Sequence, residues 1–237
     1  MVSQKQLIIQ SEIKNIGITG IYLTIEGIQN KEHDAVFEKY RKQVVFQAYE
    51  YVRKIGDIKN DPLIRGFRQL HDAVGVSNRK NISAPENLYK LLEKKHDIPR
   101  INLLVDIYNT VSIKYRLALG AHDWDKVDGN VNLRFTNGTE KFIPLGESEP
   151  KTVGVGQYSY IDDSNEIICY LDVRQIEKTK VTLDTKNVFL VVQGNGSTPF
   201  PYIENAVKEL VQLIKEYCGG TATVIGQIED LFYDFQI

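Results

Sequence analysis

The chain has 237 residues, 42% of them hydrophobic and 25% charged, with a formal net charge of -2. This is ordinary globular composition, long enough to bury a sizeable core. A mean hydropathy of -0.28 and a pI near 6.1, with no apolar run of bilayer length, argue against a membrane partner and against tight binding to long duplexes. DNA is therefore not expected as a partner, and any RNA contact should be local.

The opening stretch MVSQKQLIIQSEIK lacks the long apolar core of a signal peptide, so the expected compartment is the cytoplasm. Two apolar segments follow, Leu7 to Ile13 and Gly20 to Ile28; in the second, Ile21, Leu23 and Ile25 alternate with Tyr22 and Thr24, the period of a strand. From His33 to Lys54 the period changes: Val36, Tyr40, Val44, Ala48 and Val52 recur every fourth residue, which predicts an amphipathic helix. Asp61-Pro62 opens another helix with Leu63, Phe67, Leu70 and Val74 inward and Gly75 as its stop. Arg65, Arg68, Arg79 and Lys80 lie along it and beyond as a basic edge or a solvated face. Ser83-Ala84-Pro85-Glu86 reads as a capping box opening a helix to Lys95. In the next helix, after Pro99, Ile101, Leu104, Val105 and Tyr108 share one face, and Asp106 and Asn109 another.

After Asp128-Gly129 the pattern turns to strands. VNLRF and TEKFIPL flank Asn137-Gly138, a strong hairpin signal, and GQYSYID and EIICYLDV flank a second turn at Asp162 to Asn165. The VFLVV run within Lys186 to Gln193 predicts a buried strand. Pro199 and Pro201 precede a last helix carrying Ala206, Leu210, Leu213, Ile214 and Tyr217, which Gly219-Gly220 ends before the strand ATVIGQI. Helices cluster in front and strands behind, so the expected fold class is α+β, with mixed sheets and peripheral helices.

Generic chemistry signatures are missing. Gly154-x-Gly156 and Gly194-x-Gly196 lack the third glycine and the following helix of a dinucleotide loop. No phosphate-binding GxxxxGK[ST] or nucleophile-elbow GxSxG occurs, and the four histidines have no metal spacing. Cys169 and Cys218 stand apart and suggest neither a disulfide framework nor zinc. The sequons at Asn81, Asn137 and Asn195 mark turns. Neither a metal nor a cofactor is expected.

Between about Asp97 and Gln193, segments in order carry a resemblance. Ile101 to Asn109 is similar to an N-x-x-V-D-x-x-N helix, and Gly120 to Val127 to an H-A-F-D-x-D-K-I stretch. Thr139 to Leu145 is similar to G-E-x-F-x-x-L-D-G, and Lys180 to Val188 to E-V-T-E-E-T-K-N-I. These motifs resemble the B3/B4 editing domain of the phenylalanyl-tRNA synthetase β subunit. Asp61-Pro62, Ser83 and Val173 to Gln175 look like features of free-standing relatives. The resemblance implies one unit over residues 1–237: a helical extension over 1–96, a core over 97–193, and a closing helix and strand over 194–237.

It also implies a trans-acting editing hydrolase that removes an amino acid from mischarged tRNA, with the tRNA 3′ end or an aminoacyl-tRNA as partner and a synthetase as a further candidate. The alternative is a non-catalytic binder of an aminoacyl group, amino acid or tRNA end; a module that docks on a synthetase or a ribosome-associated partner is a third reading. This sequence departs from the family pattern where the family histidine falls at Gly120, with His122 two places on. The family's paired glycines fall at Gln175-Ile176, and its strand-end glutamate at Val191, or at Gln193 after a two-residue slip. The candidate catalytic residue is His122, with a structural histidine beside Asp123 as the other reading. The candidate substrate-binding residues are Asn109, Gly120, Ala121, Arg174, Gln175 and Gln193. Arg174 suits a phosphate or carboxylate, or else a salt bridge to Asp172 or Glu177. Asp106 and Asn109 are expected to orient a Gly120–Asp123 loop, and Asp123 and Asp125 to fix the turn at Trp124. That loop, Arg174-Gln175 and the end of the Lys186–Gln193 strand are expected to meet around one cavity.

Overall fold

A computed structural model describes residues 5–229; the ends of the expected 1–237 unit lie outside the described residues. In chain order it contains β1 (Leu7–Ile9), β2 (Ile18–Glu26), α1 (Ala35–Ile55), α2 (Pro62–Ala73), α3 (Ala84–Lys95), α4 (Leu103–Tyr115) and β3 (Ala118–Asp123). Then follow β4 (Val131–Phe135), β5 (Tyr158–Asp162), β6 (Ile167–Tyr170), β7 (Arg174–Gln175), β8 (Asn187–Asn195), α5 (Phe200–Tyr217) and β9 (Thr221–Ile228). The helices start where their caps permit. The Asp34 carboxylate accepts from the amides of Val36 and Phe37, and Asp61 accepts from Leu63 and Ile64 with Pro62 in the first turn. Asn102 caps α4 through the amide of Val105.

Among the described residues the strands form two sheets, one ordered β1-β4-β5-β6-β7 and the other β3-β8-β2-β9. The first is mixed, because β1 runs parallel to β4 while its other pairings are antiparallel. The second is antiparallel throughout. The fold class is α+β. Strand β8 explains the layering. Its Val188, Leu190 and Val192 face a core shared with Leu104, Ile107 and Val111 of α4 and Ile203, Leu210 and Ile214 of α5. Its Phe189 and Val191 face the other sheet, among Tyr160, Ile161 and Ile167. Both faces of β8 are buried, and so VFLVV reads as an unbroken apolar run.

Four local expectations are corrected. Asn137-Gly138 does not reverse the chain onto TEKFIPL. The buried Glu140 carboxylate gathers the amides of Asn137 and Gly138 and the Arg134 guanidinium into one turn, and β4 pairs with β5 instead. Charge-assisted bonds to a buried carboxylate outcompete a hairpin here. The capping box at Ser83 does not form, since Ser83 makes no side-chain cap bond. Glu86 is drawn to Arg68 at 3.0 and 3.1 Å and to Lys90 at 2.8 Å. The Gly120–Asp123 stretch is not a loop but most of β3, paired with Phe189 to Val191 across the sheet and ending opposite Val188. Ile101 lies ahead of α4 and is 64% exposed, so it is not on the helix's buried face.

A close approach ties α2 to the end of β8. A Cβ on Gly66 would lie 1.9 Å from Asn195 Oδ1. The fully buried Asn195 amide donates to the Leu63 carbonyl at 2.8 Å, and its oxygen accepts from the Ser197 amide at 3.0 Å. Gly66→Ala must evict that side chain from both bonds, so we expect a loss of about 3 kcal/mol. Urea unfolding measures it; a loss below about 0.5 kcal/mol would mean that Asn195 has another place to go.

Candidate functional site

Strand alternation puts Ala118, Gly120 and His122 on the face of β3 that looks toward the five-stranded sheet. Gly120 pairs with Val191 and Ala118 with Gln193, so Val191 and Gln193 look the same way. These residues form one side of a cavity of about 60 Å³ between the two sheets. Tyr160 of β5, Cys169 of β6 and the Leu171–Gln175 stretch form the other side, with Ala84, first residue of α3, at the rim. A second hollow of about 280 Å³ adjoins it, lined by Asn87, Tyr108, Asn109 and Leu145. Ala84, Leu119, Val173, Arg174 and Gln175 line both, so the outer hollow is a vestibule to the inner one.

Two fully buried side chains in the cavity each carry a nitrogen without a protein partner, His122 Nε2 and Gln193 Nε2. His122 Nδ1 lies 2.9 Å from Thr179 Oγ1. If the threonine hydroxyl donates, Nε2 carries the ring proton; if it accepts, Nε2 is left as an acceptor. Burial pulls the His122 pKa down to about 3, so the ring is neutral at physiological pH. Gln193 Oε1 accepts from the Tyr160 hydroxyl at 2.8 Å. Leaving such groups unpaired in a protein interior costs about 1–3 kcal/mol each, a cost that a hydrogen-bonding guest in the cavity would offset.

The one carboxylate in the lining, Asp172, is engaged from behind. His71 Nε2 lies 2.8 Å from it, the Tyr158 hydroxyl donates to it at 3.2 Å, and Asn78 Oδ1 lies 3.1 Å from His71 Nδ1. Burial lowers the His71 pKa, but the Asp172 charge and the hydrogen bonds to Asp172 and Asn78 raise it by more, leaving it above the ordinary value. The backbone carbonyl of Asp172 also accepts from the Ala84 amide, which fastens the start of α3 to the cavity wall. Burial, then Asp172, push the Cys169 thiol up to about 12, so it is protonated and a poor nucleophile.

Of the residues expected from sequence, the structure brings Gly120, His122, Arg174, Gln175, Val191 and Gln193 around one cavity. Asn109 lines the vestibule. Ala121 does not join them: its side chain is on the opposite face of β3, in the core with Leu190 and α4. Arg174 pairs with Glu147 at 2.8 Å rather than with Asp172 or Glu177, because Asp172 is turned inward to His71. Asp106 accepts from the amide of Ile101 and so orders the entry to its own helix rather than reaching β3. Asp123 accepts from the amide of Asp125 and the hydroxyl of Thr185, and Asp125 takes the Asn187 amide; together they fix the Trp124 turn to β8. Sequence reasoning missed Tyr160, Asp172 and Ala84. The alternation of Tyr158 and Tyr160 in β5 was a usable signal for inward tyrosines. Nothing local marks His71 and Asp172 as partners, since 101 residues separate them.

Comparison with known proteins gives a consistent picture. The family profile described as "B3/4 domain" matches residues 72–219. The phenylalanine–tRNA ligase beta subunit of Wolbachia sp. subsp. Brugia malayi is 31% identical over 173 residues, covering 63% of this chain and 22% of the relative. That of Pyrococcus furiosus is 28% identical over 136 residues, covering 46% of this chain and 24% of the relative. The chain thus spans about a quarter or less of the length of these relatives. A crystal structure of an N-terminal fragment of the phenylalanyl-tRNA synthetase beta subunit from Pyrococcus horikoshii matches with a TM-score of 0.50 and 17% identity. The match covers 93% of this chain and 50% of the fragment and concerns the fold.

Proposed function

The chain belongs to the B3/4 domain family, and from that premise we propose that it is a trans-acting hydrolase that edits mischarged tRNA. In this reading the aminoacyl group enters the cavity, and the terminal ribose and base of the tRNA rest in the vestibule. The observation that carries it is the pair of unpartnered, fully buried nitrogens, His122 Nε2 and Gln193 Nε2, in a cavity reached past Arg174. Such a site supplies orientation and hydrogen bonds rather than a strong base. His122 is neutral, Gly120 and Val191 do not titrate, and a glutamine cannot take a proton near neutral pH. Attack by water on the ester carbonyl then draws on the substrate's own ribose hydroxyl beside the ester, which can place the water or share a proton. Deacylation measured against a panel of mischarged tRNAs tests the reading; hydrolysis of none of them would sink it.

The same lack of a titrating base favours a second reading, a non-catalytic binder of an aminoacyl group or tRNA end, which predicts saturable binding without turnover. In either reading Arg174 acts on affinity. It is half-exposed and already shares its charge with Glu147, so its grip on a phosphate is worth about 1 kcal/mol. For the hydrolase, Arg174→Ala is expected to raise KM about fivefold with kcat nearly kept. Steady-state kinetics at two salt concentrations checks this; a fall in kcat at unchanged KM would move Arg174 into the chemistry.

A further inference from the structure

Gln175 stands where the cavity meets the vestibule and lines both. Its Nε2 lies 3.2 Å from where a Cβ on Gly120 would be, so the absent side chain at 120 is what lets the carboxamide lie across β3. The space left behind it is small. A protein cavity that accepts a benzene ring measures about 150 Å³, whereas this one is about 60 Å³. That is room for a few non-hydrogen atoms and not for a phenyl or phenol ring. The groups waiting there are polar: Gln193 Nε2 needs an acceptor, and His122 Nε2 needs an acceptor or a donor according to its tautomer. An aliphatic hydroxyl meets either need, because it both donates and accepts. A methyl group of similar size meets neither.

Resting on the reading of this cavity as an aminoacyl seat, we propose that Gln175 is a gate that restricts the site to small side chains bearing a hydroxyl, and excludes aromatic ones. The gate is a specificity residue: it acts by occupying space over Gly120, not by touching the scissile bond. Removing it should join cavity and vestibule into one larger pocket. Adding a methyl at Gly120 should push the carboxamide further into the remaining space.

The test uses non-hydrolysable 3′-aminoacylamino-3′-deoxyadenosines carrying seryl, alanyl or tyrosyl groups, with Kd measured by calorimetry on the full chain. Wild type should bind the seryl compound at least about tenfold more tightly than the alanyl or the tyrosyl one. In Gln175→Gly the tyrosyl compound should gain about tenfold or more while the seryl-over-alanyl preference remains. Gln175→Ala, which keeps ordinary strand backbone freedom, should move in the same direction if the glycine variant folds poorly. Gly120→Ala should weaken the seryl compound severalfold. Equal wild-type affinities for seryl and tyrosyl compounds, an unchanged tyrosyl affinity in both Gln175 variants, or no binding of any compound would each overturn the gate. If the preferences hold but seryl-tRNA is bound without being hydrolysed, the hydrolase reading fails and the gate stands.

Discussion

Under the hydrolase reading, removing the ribose hydroxyl beside the ester in an otherwise good substrate should lower kcat by about 100-fold or more, whereas His122→Ala should change kcat by less than about threefold. The contrast follows from burial. A histidine whose burial has pulled its pKa down to about 3 is a weak base. The substrate hydroxyl needs no such tuning, because it arrives already adjacent to the reacting carbonyl. The effect of His122→Ala should fall on KM, where the loss of one cavity nitrogen is felt. The pH–rate profile of wild type should accordingly show no ionisation of His122 between pH 5 and 8. A limb near pH 6–7 that disappears in His122→Ala, with kcat collapsing, would show that the histidine acts as general base. The base-free mechanism would then be wrong.

The second large effect concerns stability. Asp172→Ala leaves the His71 ring and the Tyr158 hydroxyl buried without their acceptor, and should cost about 3–5 kcal/mol. For a chain of this size that is a fall of roughly 10 °C in Tm. The accompanying pH dependence has a definite sign. His71 has a folded pKa above its ordinary value, so its contribution is fully present below the unfolded pKa near 6.5 and is lost as pH rises through the folded value. His122 does the opposite. Its folded pKa is depressed, so its contribution is present above about 6.5 and lost as pH falls toward about 3. Wild type should therefore be less stable on both sides of that region. Asp172→Asn should flatten the alkaline slope and spare the acid one. Urea denaturation across pH 5–9 separates the two slopes. An alkaline slope unchanged in Asp172→Asn would mean that His71 is not the group responsible.

Much of the local structure could be read in advance. Asp61-Pro62, the fourfold spacing of Val44, Ala48 and Val52, and the turn at Asp162 to Asn165 each act within one or two turns of chain, and α2, α1 and the β5–β6 pair form there. At Ser83 and Asn137, where reading failed, a cation outside the expected motif had entered. Glu86 left its expected amide for Arg68, and Glu140 folded Asn137-Gly138 around itself, because a buried carboxylate gains more from a cation than from a turn.

The candidate site divides along the same line. Motif order was enough to nominate Gly120, His122, Arg174, Gln175 and Gln193, since a resemblance carries positions along the chain. It could not tell Ala121 from its neighbours, because a strand sends alternate residues to opposite faces and only the pairing of β3 with β8 says which face is the cavity. Nor could it show that Gln175 lies over Gly120, or that His71 supports Asp172 from behind. The sequence by itself determined the helices, the Asp61-Pro62 start of α2, the α+β class and the residues that could serve. The tertiary structure decided which of them share a cavity, how small that cavity is, and that its histidine is neutral. Those properties come from the close packing of strands distant in sequence, which sets burial and leftover volume, and neither quantity exists until the sheets have met.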